Sequence, residues 1–130
     1  MLVIDASVLA KYVSREEGWR EARRLLSSGA YTVELAVKEA ANALWKKALR
    51  GEADPAAVPE IAARLYRVVE LLDQEEVLRE AVEIALRRRV TVYDALYIAA
   101  AKKHGAVLAT ADRRQAEAAM EEGVEVRLLD

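Results

Sequence analysis

The chain alternates short apolar runs with longer segments in which apolar residues recur at helical spacing. Leu2 to Ile4, Tyr31 to Val33 and Ala106 to Ala109 have the length and content of strands, and a helical pattern follows each of them. Val68 to Leu72 and Val124 to Leu129 complete five strand candidates. Strands separated by helices favour a three-layer α/β sandwich, with a mostly parallel sheet of four to five strands and helices on both faces.

The helical segments carry recognisable start signals. Ser7 is the candidate N-cap of the first helix, and Thr91 with Asp94 three residues later resembles a capping arrangement. Ala95 to Ala101 is almost wholly apolar, so this part of its helix should be deeply buried, and Trp45 lies on the apolar side of another helix. The periodicity predicts helices over residues 6–13, 19–27, 34–50, 55–66, 75–88, 91–104 and 112–122.

Length and composition narrow the possible classes of protein. The 130 residues suit one domain spanning positions 1–130. A formal net charge of -2 means that nucleic-acid binding would depend on local basic patches. The chain has no cysteine, which excludes disulfides, thiolate metal sites and cysteine nucleophiles. Because the sequence contains neither a signal peptide nor a membrane-spanning run, we expect a cytoplasmic protein without a membrane partner.

Four acidic residues stand among apolar neighbours, where unpaired carboxylates are rare. Asp5 ends the first strand and Asp112 follows the strand near residue 108, while Glu39 lies within an Ala-rich helix and Asp94 opens an apolar one. Taken singly, each has an ordinary explanation as a helix cap, a first-turn acid or a solvent-facing residue. Because ligands collect beyond the carboxyl ends of parallel strands, the four together predict one functional site.

Short polar side chains are concentrated around these acids. Thr110 and Thr91 are two of only three threonines, and each lies within three residues of a proposed site acid. Asn42 follows Glu39 by about one helical turn, and Ser7 follows Asp5 by two residues. Side chains of this kind can orient carboxylates and water around a metal, although Ser7 and Thr91 are equally ordinary helix caps.

A cation would explain why so many carboxylates converge. Clustered carboxylates repel one another, so that a group ionised at neutral pH calls for positive charge. Oxygen ligands favour Mg²⁺ or Mn²⁺, and the single His104 has no histidine or cysteine companion with which to hold zinc. Such a metal can activate water and stabilise a leaving oxygen, which fits phosphodiester hydrolysis best.

Four sequence motifs carry a resemblance to the PIN-domain ribonucleases, in family order and over nearly the whole chain. The motifs are VIDASV at residues 3–8, EAAN at 39–42, TVYDALY at 91–97 and TAD at 110–112, and the third is the most specific. The chain is similar in size to the single-domain toxins of VapBC-type toxin–antitoxin pairs. It departs from many relatives in lacking a proline before residue 34, which affects only local loop geometry.

The resemblance implies both a site and a role. Asp5, Glu39, Asp94 and Asp112 would form the acidic metal-binding and catalytic tetrad, with Thr110 and also Ser7 or Asn42 in support. The family implies Mg²⁺- or Mn²⁺-dependent RNA cleavage, a homodimer, and a small antitoxin protein that blocks the active site.

An RNA substrate would also have to meet basic side chains near the acids. Arg113 and Arg114 directly follow Asp112, and Lys11 lies on the first helix, so these three are the candidates for RNA binding. Most other basic doublets are typical of solvated helix faces.

Other functions fit the sequence less well. A phosphoacceptor signalling domain has an adjacent acidic pair at the end of the first strand, whereas Asp5 here lies between the apolar residues Ile4 and Ala6. A phosphatase with an Asp nucleophile has a second Asp two residues after the first, where this chain has Ser7. The serious alternative is a catalytically silent PIN-like scaffold that binds RNA or a protein partner, because intact ligands do not prove turnover.

Overall fold

Five short strands form one parallel sheet in the computed structural model, which describes residues 1–130. Each neighbouring pair of strands runs parallel, so the sheet is wholly parallel rather than mostly so. The sheet order is β3-β2-β1-β4-β5. The strands are β1 (Leu2–Ile4), β2 (Tyr31–Val33), β3 (Glu70–Leu72), β4 (Val107–Thr110) and β5 (Val126–Leu128).

Seven α-helices connect and cover these strands, which confirms the predicted layered α/β fold. Two short 3₁₀ turns, over Leu65–Arg67 and Glu75–Val77, lie where the sequence predicted continuous helix. The helices are α1 (Ala6–Ser14), α2 (Trp19–Ser27), α3 (Glu34–Leu49), α4 (Val58–Arg64), α5 (Leu78–Arg88), α6 (Val92–His104) and α7 (Arg113–Glu121). None of them is long and apolar enough to cross a bilayer.

One local prediction is wrong. Asp5, not Ser7, is the N-cap of α1, because the Asp5 side chain accepts a hydrogen bond from the Ser7 amide at 3.0 Å and leaves Ser7 within the first turn. Trp45 is 51% exposed, although it belongs to the apolar pattern of α3. The buried face of α3 consists instead of small and aliphatic residues, namely Ala36, Val37, Ala40 and Leu44.

The predicted burial of the sixth helix is confirmed. All seven residues from Ala95 to Ala101 are buried, and α6 contacts α5 as well as β1, β2 and β4. Thr91 is its N-cap and accepts a hydrogen bond from the Asp94 amide at 3.1 Å, as the sequence predicted. A buried helix therefore carries Asp94 in its first turn.

The order of strands creates a crevice between β1 and β4. From the central strand β1 the chain builds β2 and β3 to one side, and it later returns to build β4 and β5 on the other. Such a switch point leaves the carboxyl ends of the two central strands uncovered by a crossover. Ile4 pairs with Ala109, so Asp5 and Thr110 follow directly at adjacent strand ends.

Candidate metal and active site

Asp5 lies at the centre of the crevice and is almost fully buried, with 5% of its surface exposed. Its backbone amide continues the sheet by donating to the Ala109 carbonyl at 3.3 Å. The side chain accepts hydrogen bonds from the Ser7 amide and hydroxyl at Oδ1 and from the Thr110 hydroxyl at Oδ2, the two hydroxyl contacts being 2.5 Å. Strand position and hydrogen bonds together fix this carboxylate in one orientation.

Ser7 and Thr110 link Asp5 to the chain around Asp112. The Ser7 hydroxyl accepts a hydrogen bond from the Ala111 amide at 2.8 Å, and the Thr110 hydroxyl accepts one from the Asp112 amide at 3.0 Å. Since each hydroxyl gives its single proton to Asp5, the two amides supply the matching donors and the network is satisfied. Two of the three residues predicted to support the acids, Ser7 and Thr110, therefore bond to Asp5 and to the backbone at residues 111 and 112.

Asp112 is the N-cap of α7, and its Oδ1 accepts hydrogen bonds from the amides of Arg114 at 2.9 Å and Gln115 at 3.3 Å. The ordinary capping explanation is thus correct for Asp112 as well as for Asp5, and it does not exclude a second role. The negative charge of Asp112 lies close enough to Asp94 to raise the pKa of that carboxyl.

Gln115 joins α7 to α6 and was not singled out by the sequence. Its side chain is buried, with 2% of the residue exposed, and its Nε2 donates to the Asp94 carbonyl at 3.0 Å. The side-chain oxygen Oε1 is buried without a hydrogen-bond partner. Because the Gln115 amide also donates to Asp112, this residue sets the spacing between two of the candidate site acids.

Glu39 reaches the site through Tyr97. The Tyr97 hydroxyl donates to Glu39 Oε1 at 2.5 Å, and Tyr97 itself is 1% exposed. Burial raises the pKa of this hydroxyl, and the charges of Glu39, Asp5 and Asp94 raise it further. Tyr97 therefore lies among three of the four candidate site acids, although its place in an apolar run suggested only a core residue.

No cationic side chain offsets the burial of Asp5, and Arg114 supplies the positive charge that acts on Asp94. Burial raises the pKa of the Asp5 carboxyl from 3.8 to about 6, although the hydrogen bonds from Ser7 and Thr110 partly offset it. Burial, followed by the charge of Asp112, raises the pKa of Asp94, and Arg114 opposes the shift only in part. Two carboxylates held in this way are stabilised in their charged form by a cation.

The four acids do not form a preassembled metal cage. In this structure no three Asp, Glu or His side chains are close enough together to hold one ion. Asp112 Oδ1 is engaged as a cap and Glu39 Oε1 accepts from Tyr97, so only the second oxygen of each of these carboxylates is without a hydrogen bond. The donors nevertheless fit a hard cation, because every one of them is an oxygen and none competes as a thiolate or imidazole.

The predicted supporting and basic residues are unevenly placed. Asn42 is exposed in a groove that also borders Glu39, without a hydrogen bond to any of the four acids. Arg113 is exposed at the start of α7, and the Arg114 guanidinium donates to the Arg89 carbonyl at 2.6 Å. Lys11 donates to the Glu17 carbonyl at 2.8 Å, which engages its ammonium in the loop after α1.

The two site residues that sequence reasoning missed, Tyr97 and Gln115, share one property. Each is a polar residue almost completely buried in the fold, and each uses its side chain to position a candidate site acid. The only sequence signal was for Tyr97, which lies in the same motif as Asp94 and three residues after it. Nothing in the sequence around Gln115 distinguishes it from a solvent-facing helix residue.

Comparison with known proteins identifies the family of this chain. The sequence profile of the PIN domain matches residues 2–121. Ribonuclease VapC3 of Pyrobaculum aerophilum is 40% identical over 121 residues, which cover 89% of this chain and 92% of the relative. Exonuclease VapC9 of the same organism is 37% identical over 114 residues, covering 85% and 80% respectively.

Solved structures support the same fold. The crystal structure of PAE2754 from Pyrobaculum aerophilum has a TM-score of 0.73 and 30% identity, covering 96% of this chain and 89% of the other. DNA-bound VapBC from Salmonella typhimurium has a TM-score of 0.69 over 97% of this chain and 96% of the other. At 17% identity the second match shows a shared fold alone.

Proposed function

This chain belongs to the PIN-domain family, and on that premise we propose that it is a Mg²⁺- or Mn²⁺-dependent endoribonuclease that hydrolyses RNA phosphodiester bonds. The observation that carries the proposal is the Asp5 carboxylate, which is buried at the switch point of the sheet and oriented by Ser7 and Thr110. A buried acid with a raised pKa and no cationic partner is typical of a functional site.

Asp5, Glu39, Asp94 and Asp112 would hold the metal. Divalent-metal dependence is general among nucleases of this family, and the all-oxygen donor set supports a hard cation. When bound, such an ion makes a water more acidic and stabilises charge that develops on phosphate oxygens. Direct titration would count the ions bound.

The chain's own residues prepare the site for this chemistry. Ser7 and Thr110 keep both oxygens of Asp5 fixed, and Tyr97 keeps Glu39 at the border of the site rather than free in solvent. Gln115 holds the backbone of Asp94 against α7. Partners of this kind commonly change metal affinity or activity by about 10–100-fold when they are removed.

Basic residues next to the acids complete the proposed site. Arg113 and Arg114 would face RNA phosphates beside Asp112, because they occupy the first turn of α7 directly after that acid. Arg113 is free of the ion pairs found elsewhere in the fold, whereas Arg114 would first have to release the Arg89 carbonyl.

The biological setting belongs to the same proposal. The relatives carry VapC names, and similar folds are found in VapBC and FitAB structures. We therefore assign this chain the role of the toxin in a toxin–antitoxin pair, acting on RNA in the cytoplasm as a homodimer and held inactive by a small antitoxin protein.

Cleavage of a circular RNA tests the activity and its endonucleolytic character together. A circle has no ends, so opening it requires internal cleavage, whereas an exonuclease such as the name of the second relative describes would leave it intact. We expect Mg²⁺ or Mn²⁺ to support opening by the wild type and a chelator to abolish it. Asp5→Asn and Asp94→Asn should be inactive.

The matched control is Asp54→Asn, which alters an exposed Asp outside the site, where its side chain accepts a hydrogen bond from the Ala56 amide. It should cleave like the wild type. Equal cleavage by all the variants would reject the assigned site. RNA binding without cleavage of linear or circular RNA would favour the catalytically silent scaffold.

A further inference from the structure

A groove beside the candidate active site has features that the proposed cleavage reaction leaves unused. It has a volume of about 540 Å³ and lies between α3 and the first turn of α6. Glu39 is part of its lining, so the groove leads directly to one of the four acids. The other lining residues are Leu35, Lys38, Asn42, Ala43, Lys46 and Tyr93.

The α3 side of the groove is a continuous stripe along the helix. Its residues recur at intervals of three and four positions, so they occupy one face. Glu39 and Lys46 are seven residues apart, which separates them by about 10 Å along the helix axis. A polymer that lies along this face, with its reacting bond at the acids, would therefore contact Lys46 at a separate point along its length.

Tyr93 forms the opposite side of the groove and is unusually exposed. It is 61% exposed, next in sequence to Asp94, at the start of a helix whose following residues are buried. The other tyrosine of this motif, Tyr97, is buried and bonded to Glu39. An exposed aromatic ring beside a polar groove is a surface on which an unpaired base can stack.

Lys46 supplies positive charge that the fold does not use. The neighbouring Lys47 pairs with Glu16, and Lys38 pairs with Glu34, but Lys46 takes part in none of the ion pairs. Lys46 is exposed in the groove on the far side of Asn42 from Glu39. An unpaired lysine of this kind can neutralise one phosphate of a bound strand.

We propose that this groove binds single-stranded RNA next to the cleavage site, with Tyr93 stacking on an unpaired base and Lys46 contacting the phosphate of a neighbouring nucleotide. The proposal rests on the proposed function for its choice of ligand. A single strand is specified because stacking on Tyr93 needs a base freed from a duplex. Asn42 also lines the groove, about one helical turn before Lys46, and its side-chain amide can bond a base edge or a sugar.

The test is equilibrium binding of a short, unstructured, end-labelled RNA in the presence of a chelator, so that no cleavage is required. We expect Tyr93→Ala to weaken binding about tenfold and Tyr93→Trp to retain it, because stacking depends on the ring. A plot of log K against log salt concentration should have a slope that is less steep by about 0.7 for Lys46→Ala than for the wild type. This is the change expected when a single strand loses one phosphate contact.

Matched controls come from the same helices. Trp45→Ala removes an aromatic ring that is 51% exposed on α3 but outside the groove, and Lys103→Ala removes an exposed lysine at the far end of α6. Neither control variant should change the affinity for the RNA or the dependence of that affinity on salt concentration. Under cleavage conditions, Tyr93→Ala should raise KM and leave kcat nearly unchanged.

Several results would overturn the proposal that this groove binds RNA. Unchanged binding by Tyr93→Ala, equal loss in Tyr93→Ala and Tyr93→Trp, an unchanged salt slope in Lys46→Ala, or no binding by the wild type would each do so. Loss of affinity that follows only a change in oligomeric state, measured by sedimentation, would reassign Tyr93 to a protein contact. Binding that depends on Tyr93 without any cleavage would instead retain the groove and reject the proposed reaction.

Discussion

The Tyr97 hydroxyl on α6 donates a 2.5 Å hydrogen bond to Glu39 Oε1 on α3, which joins two helices that are far apart in sequence. Burial, together with the charge of Glu39, raises the pKa of Tyr97, so the phenol remains a donor at every physiological pH. Glu39 is therefore held by a neutral group that does not cancel its charge. Such a contact suits a cation ligand, because it fixes the position of Glu39 and leaves its negative charge for the cation.

Tyr97→Phe tests that relationship. It removes one oxygen while preserving the packing of the ring, so Glu39 becomes free to turn away from the other acids. We expect the Mn²⁺ affinity measured by calorimetry and the RNA cleavage rate to fall about tenfold each, with a loss of about 1 kcal/mol in the free energy of unfolding.

A second tyrosine–glutamate pair provides the control for this variant. Tyr66 donates to Glu34 Oε1 at 2.7 Å on the surface, so Tyr66→Phe removes the same chemical contact away from the acids. Metal affinity and cleavage should be unaffected. If the two variants behave alike, Tyr97 has no special role at the site.

Asp5 should make the metal-free protein less stable at neutral pH. Its pKa is about 6 in the folded state and 3.8 in the reference state, so its contribution to stability is complete below pH 3.8 and is lost as the pH rises through 6. Asp5→Asn does not titrate. In chelator at pH 7 we expect the variant to be about 3 kcal/mol more stable than the wild type, with the difference nearly vanishing around pH 4.

Urea unfolding at the two pH values, with and without Mn²⁺, measures this effect. Added Mn²⁺ should stabilise the wild type by mass action and leave Asp5→Asn nearly unchanged. A wild type that is the more stable of the two at pH 7 in chelator would mean that the hydrogen bonds from Ser7 and Thr110 outweigh the burial of the charge.

Gln115 offers a way to separate stability from site geometry. Gln115→Met removes the hydrogen bond from Nε2 to the Asp94 carbonyl, which costs about 1 kcal/mol, but it also removes a buried oxygen without a partner, which gains a similar amount. We therefore expect a melting temperature close to that of the wild type. Metal affinity should nevertheless fall severalfold, because the Asp94 backbone is no longer tied to α7.

The same substitution at Gln74 provides the control. The Gln74 side chain also bonds the backbone of a helix, since its Oε1 accepts a hydrogen bond from the Leu35 amide at 2.9 Å, but it touches none of the four acids. Gln74→Met should thus lower the melting temperature without affecting metal affinity. A marked drop in the melting temperature of Gln115→Met, with metal affinity intact, would show that Gln115 serves packing only.

The sequence predicted most of the fold because strands in a parallel sheet are buried on both faces and read as uninterrupted apolar runs. Val3 and Ile4 are both fully buried, as such a run implies. The boundaries were less predictable. Thr110 extends β4 beyond the predicted Ala109, because its pairing with Leu128 of β5 is a tertiary contact that local propensity does not encode.

The site was partly predictable for a related reason. Asp5 and Asp112 could be located because each follows a recognisable strand, and strand ends meet at one edge of a parallel sheet. Tyr97 and Gln115 could not, because their roles depend on partners distant in sequence or on another helix. Polar residues with these contacts look like ordinary core or surface positions until the helices are packed.

Glu122 just beyond α7 should govern stability in acid. Its side chain is 2% exposed and bonds Arg87 and Arg88 of α5 and Lys102 of α6, at distances of 2.7 to 3.0 Å. The hydrogen bond from Arg87, supported by Lys102 and Arg88, lowers the pKa of Glu122 to about 2. This carboxylate therefore fastens the end of α7 to two other helices.

Because the pKa of Glu122 is lowered on folding, its contribution to stability is present above the reference value of 4.5 and is lost as the pH falls toward 2. Glu122→Gln should lower the free energy of unfolding by about 2 kcal/mol at pH 7, since Arg87 and Lys102 reach solvent and moderate the loss. At pH 2 the variant and the wild type should be nearly equal. Glu121→Gln, which alters an exposed partner of Arg88, should cost much less at pH 7. Urea titrations across this range measure the difference, and a difference between Glu122→Gln and the wild type that does not change with pH would show that packing rather than charge holds the helix end.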